Sequence, residues 1–178
     1  MIILLCQVQL LLREQRYCGK FETAEASASM VRSILDHVHQ LLAYHKAEAE
    51  SKMASFSRDA QTSELLRVLT ELQVHHCVLL LLHLVSIGDF YTANLCLPAL
   101  FEIHASTSSI VPEPNAVQQY EWLPPDVKEE LLFYLSCVCN RAIGKLEPAM
   151  DYATGALNLV NGTTCSYSFI HSLIRCVC

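Results

Sequence analysis

The feature that most constrains this chain is an outline that occurs three times. Gly19-Lys20-Phe21-Glu22-Thr23-Ala24, Gly88-Asp89-Phe90-Tyr91-Thr92-Ala93 and Gly144-Lys145-Leu146-Glu147-Pro148-Ala149 each place a glycine, a charged residue, a large apolar residue and then an alanine three positions on. Each follows one apolar run of helical period and precedes another. A glycine at that place accepts the left-handed backbone that ends a helix, and a small alanine lets the two helix axes approach closely. The unit is a helix, a tight turn and a second helix.

Taken in order, residues 2–17 carry Leu4, Leu5, Val8, Leu11 and Leu12 three and four apart, which predicts a first helix. From Phe21 the pattern continues through Ala24, Ala28, Val31, Ile34, Leu35, Val38, Leu41 and Leu42 to at least Lys46. About 26 residues at 1.5 Å each give roughly 39 Å, a long second helix. Residues 51–63 lose the period and gain serines, so they read as a polar connector, with Thr62 or Ser63 capping a helix that starts at Glu64. That helix runs to Ile87 and is apolar nearly all round in its second half, which requires packing on several sides. After Gly88 a further helix carries Pro98, where a kink or a displaced start is expected. Residues 106–121 read as a long loop, closed by Trp122 as an anchor on the preceding unit and by Pro124-Pro125 opening the next helix. That helix covers about Asp126 to Ile143. After the third glycine a helix covers Glu147 to Val160 with Pro148 tolerated in its first turn, and residues 166–178 begin another apolar helix. The expected fold is all-α: one partial solenoid of helical hairpins over 1–178, with pairs at about 2–50, 64–106 and 126–161. It begins and ends on apolar helices, as a piece of a longer solenoid would, so association through open ends is expected of the isolated chain.

Composition excludes several classes. A hydrophobic share of 52% against 17% charged residues argues for a packed core. The net charge of −6, with the 12 Lys and Arg scattered except for Arg13, Arg16 and Lys20, gives no global field for direct nucleic-acid binding. The nine cysteines sit in apolar helical runs and read as reduced core thiols of an intracellular protein rather than a secreted disulfide framework. The run at Met1–Cys6 lacks the basic start of a signal peptide. Cys77–Ile87 is too short an apolar run to span a bilayer, so no membrane is expected. Cys137/Cys139, Cys176/Cys178 and His37/His39 are two apart and point to different sides of a helix, while His76 and His83 lie about 10 Å apart along one, so no metal is expected. His75, His76 and His83 read as core or helix-surface histidines. No P-loop, dinucleotide fingerprint, Gly-x-Ser-x-Gly or His-Glu-x-x-His occurs, and neither enzymatic activity nor a cofactor is expected.

The repeat outline resembles tetratricopeptide-type units, with Gly at the fifteenth position and Ala24, Ala93 and Ala149 at the twentieth. Counting back places an inner face on each first helix: Cys6, Gln9, Arg13 and Arg16; His75, Val78, Leu82 and Val85; Leu131, Tyr134, Val138 and Arg141. Such a groove would be apolar with arginines at its margin, suited to an apolar and acidic segment of another protein. For Val78 and Leu82 a plain core role weighs equally. A carboxylate clamp of the kind used by chaperone-binding repeats is disfavoured, because its Lys and Asn positions hold Gln9 and Arg13, Val78 and Leu82, and Tyr134 and Val138.

Tyr120-Glu121-Trp122-Leu123-Pro124, the helix containing Leu132–Leu135, Gly144–Ala149 and Ala156-Leu157-Asn158-Leu159 together resemble the central repeats of the cohesin loading factor family. Leu10–Glu14, the long second helix, Leu72–His76 and Pro98 follow the same order, so the resemblance covers about residues 4–160. It implies a scaffold subunit of the cohesin loader that wraps the extended N-terminal part of the adherin (Nipped-B) subunit, supports cohesin loading and sister chromatid cohesion, and resides in the nucleus on chromatin, with some in the cytoplasm. The alternative is a repeat scaffold of another assembly, of ubiquitin-ligase or proteasome type.

Overall fold

A computed structural model describes residues 1–17, 21–55, 60–108 and 120–162. The described residues form six α-helices: α1 Ile2–Tyr17, α2 Phe21–Ser55, α3 Ala60–Ser86, α4 Phe90–Ser108, α5 Pro125–Ala142 and α6 Leu146–Gly162. Among the described residues there is no strand, so the chain is all-α. The start of a further helix expected at 166–178, and the first glycine turn at Gly19, lie outside the described residues.

The two described glycine turns use one local solution. Gly88 and Gly144 have φ of 80° and 81°. Gly88 N–H donates to the Val85 carbonyl at 3.1 Å and Asp89 N–H to that of Leu84 at 2.9 Å; Gly144 N–H donates to Arg141 at 3.1 Å and Lys145 N–H to Asn140 at 2.9 Å. This paired bonding satisfies the last carbonyls of α3 and α5 and reverses the chain. The next helix then starts identically, Ala93 N–H donating to the Asp89 carbonyl and Ala149 N–H to that of Lys145. Ala93 and Ala149 are 0% and 5% exposed, so each methyl group is buried in the first turn of its helix.

Consecutive helices pack pairwise along the chain, and α3 also touches α1 and α5. The α2–α3 pair is the longest. Val31, Leu35, Val38, Leu42 and Ala49 are all buried on α2 at steps of three, four and seven, the spacing of a seam between two helices. Packing therefore carries helix into the expected connector: α2 continues to Ser55, with Lys52 paired to Glu48 at 2.8 Å one turn back, and α3 begins at Ala60 rather than Glu64. Thr62 and Ser63 accordingly lie inside α3, not at its cap.

From Leu69 to Val85 α3 is buried almost continuously. Its stretch Thr62–Ser86 is long and apolar enough to cross a membrane, which corrects the expectation from the shorter run, and 78% of the most apolar window within it is buried inside the fold. Pro98 lies within α4, which runs through it without a displaced start, its ring on the exposed side where the lost N–H bond is cheapest. Not every cysteine is a core thiol: Cys139 is buried, Cys77, Cys96 and Cys137 are half-buried and Cys6 is exposed.

Candidate partner-binding face

α3 touches both α1 and α5, and of the expected inner-face residues Gln9 and His75 meet between α1 and α3. His75 is the hub. Its Nε2 accepts from the amide Nε2 of Gln9 on α1 at 3.2 Å, which leaves the ring proton on Nδ1 to donate to the Tyr120 hydroxyl at 3.2 Å. The Trp122 indole stacks on the imidazole at 4.1 Å and 13°. Burial, and secondarily His76, push the His75 pKa down to about 3, so the ring is neutral. Burial likewise pushes Tyr120 up to about 12 and keeps its hydroxyl protonated.

One turn N-terminal on α3, Glu71 holds Lys128 of α5 with bonds of 2.8 and 3.0 Å, and both side chains are only 5% exposed. Glu121 lies 3.9 Å from the same ammonium. A further turn back, Arg67 makes a two-pronged contact with Glu64 at 2.9 and 2.7 Å. That hydrogen-bonded contact raises the Arg67 pKa and lowers that of Glu64. The α3 side toward α5 is thus a buried polar row, capped by the segment Tyr120–Leu123.

The inner-face residues divide by depth. His75, Val78, Leu82 and Leu131 are buried, as is Val85, so Val78 and Leu82 belong to the core and do not line an open surface. Gln9 is half-buried and occupied by His75, while Tyr134 and Val138 are half-buried on α5. Arg13 and Arg141 are exposed, with Cys6. Arg16 lies in α1, and its side chain is outside the described residues. Of the expected inner-face residues, those whose side chains are described as exposed are therefore Cys6, Arg13 and Arg141.

Sequence reasoning missed the Glu71–Lys128 pair, although two signals point to it. Lys128 stands in the first turn of α5, where the helix dipole disfavours a cation, and Glu71 is the last acidic residue before the apolar second half of α3. Among the described residues no group of three or more His, Cys, Asp or Glu is arranged to hold a metal ion. Burial raises the Cys77 and Cys139 thiols to about 11, which leaves them protonated and unreactive at neutral pH. No family model, curated protein or solved structure matches the chain.

Proposed function

We propose that the three hairpins are units of a tetratricopeptide-like solenoid and that the chain is a non-enzymatic scaffold, part of a cohesin loading factor. Its inner face would grip the extended N-terminal region of an adherin subunit in the nucleus. The observation that carries this reading is the segment Tyr120–Leu123, the most distinctive phrase of the family resemblance: it lies against the inner helices, with Tyr120 bonded to His75 and Trp122 stacked on it. A phrase of merely connecting chain would have no reason to be matched twice to one buried residue of an earlier helix. The side-by-side contact of α1, α3 and α5 supports the solenoid. Arg13 and Arg141, exposed on the first and last of these helices, would meet acidic residues of the bound segment.

A purified N-terminal adherin segment is the probe. The full chain is expected to retain it in a pull-down, and Arg13→Glu with Arg141→Glu to weaken retention at least tenfold without changing helicity. No retention by the folded chain, or retention indifferent to both reversals, overturns the reading.

A further inference from the structure

The Tyr120 hydroxyl is only half used. A phenol oxygen can accept a hydrogen bond and also carries one proton to donate. Gln9 presents its amide nitrogen, a donor, to Nε2 of His75, so Nε2 is the bare nitrogen of the neutral ring and the proton stands on Nδ1, 3.2 Å from the Tyr120 oxygen. The hydroxyl is therefore the acceptor in that bond. Its own O–H donates to nothing among the described residues.

The direction of this chain of bonds is fixed from both ends. His75 is 2% exposed and carries the Trp122 indole on its face, so the ring cannot turn over without breaking its bonds to Gln9 and Tyr120 together. Tyr120 is half-buried, and the thiol of exposed Cys6 on α1 is close enough to help raise its pKa, after burial, so the hydroxyl lies beside α1. Cys6, Gln9 and Arg13 follow one another on α1 at steps of three and four, one side of the helix. The unspent O–H thus borders the side of α1 that carries Arg13.

We infer that Tyr120 is a specificity-determining contact of the partner face: its hydroxyl donates to a backbone carbonyl of the extended segment, and His75, its tautomer fixed by Gln9, is the positioning residue that aims it. A segment bound in an extended form brings carbonyls that its own backbone leaves unpaired. The acceptor is a neutral carbonyl and not a carboxylate, because Glu121 beside it is 46% exposed and only 3.9 Å from an ammonium that Glu71 already holds. A second carboxylate there would be repelled, and acidic side chains of the segment belong at Arg13. This inference deepens the reading of the face as partner-binding and rests on it.

Two measurements on the full chain test it. The first needs no partner: nitrogen-15 spectra at neutral pH should show the His75 imidazole neutral with its proton on Nδ1. A proton on Nε2 would mean that Tyr120 spends its O–H on His75, which overturns the inference and leaves the adherin reading untouched. The second compares affinity for the purified N-terminal adherin segment with melting temperature. Tyr120→Phe should weaken binding about tenfold, the size of one lost hydrogen bond. Val78→Ala, at a buried position one turn along α3 from His75, should lower the melting temperature and leave affinity unchanged. Equal losses of affinity in the two variants would make the Tyr120 effect merely structural and overturn the inference, as would full affinity in Tyr120→Phe. The tenfold loss should be the same at low and high salt, unlike that of Arg13→Glu; a loss that shrinks as salt rises would put a carboxylate at Tyr120 and overturn it too. No binding by the unaltered folded chain instead overturns the adherin reading and takes this inference with it.

Discussion

α3 buries two sides in different ways. Toward α2 it presents Leu69, Leu72, His76, Leu79 and His83, a largely apolar seam with Gln73 accepting from Lys46 of α2 at 3.2 Å beside it; His76 bonds to a backbone carbonyl, and Nδ1 of both His76 and His83 has no hydrogen-bond partner among the described residues. Toward α1 and α5 it presents Glu71 and His75, whose polar atoms are met by side chains from elsewhere in the chain. The first side needs only volume and periodicity and tolerates exchange of similar apolar groups. The second needs particular partners, because an ion left alone in that interior is costly. Alignment of the helices should therefore come from the apolar seam, and specificity of packing from the polar row.

The largest effect expected from breaking this contrast is at Lys128. Lys128→Met strands the Glu71 carboxylate and should destabilise by about 3–5 kcal/mol, whereas Glu71→Met combined with Lys128→Met should recover most of that loss. Urea melts of the two single variants and the double variant measure the coupling; equal, additive losses would mean the pair is not buried together. Next come the helix crossings. Ala93→Leu and Ala149→Leu each push two axes apart and should cost about 1–3 kcal/mol. Similar losses at both sites would support the equivalence of the turns, and an unchanged melting temperature at either would refute it.

The histidines sharpen the comparison through pH. Burial lowers the pKa of His75 to about 3 and also lowers those of His76 and His83. The unfolded chain then binds more protons than the folded one once pH falls below about 6.5, so stability is full above that value and declines as pH falls toward the folded pKa. Each histidine contributes a slope of at most about 1.4 kcal/mol per pH unit. Chemical denaturation between pH 7.5 and 4.5 should show this decline, reduced in His75→Gln; a flat profile would mean that these rings are solvated. The smallest effect is at Gly88, where a methyl group meets nothing within 4 Å and only the left-handed backbone is penalised. Gly88→Ala should cost about 1–2 kcal/mol, and a neutral result would mean that the turn is not held at positive φ.

The turns at Gly88 and Gly144 were legible in the sequence because their requirements are local: a glycine at positive φ, a charged residue and a small residue fix the geometry within six positions. The α2 seam was legible as periodicity, but the end of α2 was not, since polar Ser51–Ser55 gives no helical pattern and is held by the helix it extends. The inner face was half legible. Counting repeat positions found Gln9 and His75, which do meet, yet depth depends on how closely neighbouring helices approach, and that put Val78, Leu82 and Leu131 inside. Glu71 and Lys128 are far apart in sequence, and no local rule joins them.

The central claim is that α1, α3 and α5 present one shared face to an extended partner. Hydrogen–deuterium exchange of the full chain with and without the N-terminal adherin segment tests it most directly. Added protection is expected along α1, in Tyr120–Leu123 and in the last turns of α5 around Arg141, with α2 and α6 unchanged. Protection confined to α2 or α6, or none at a saturating concentration of the segment, would contradict the account.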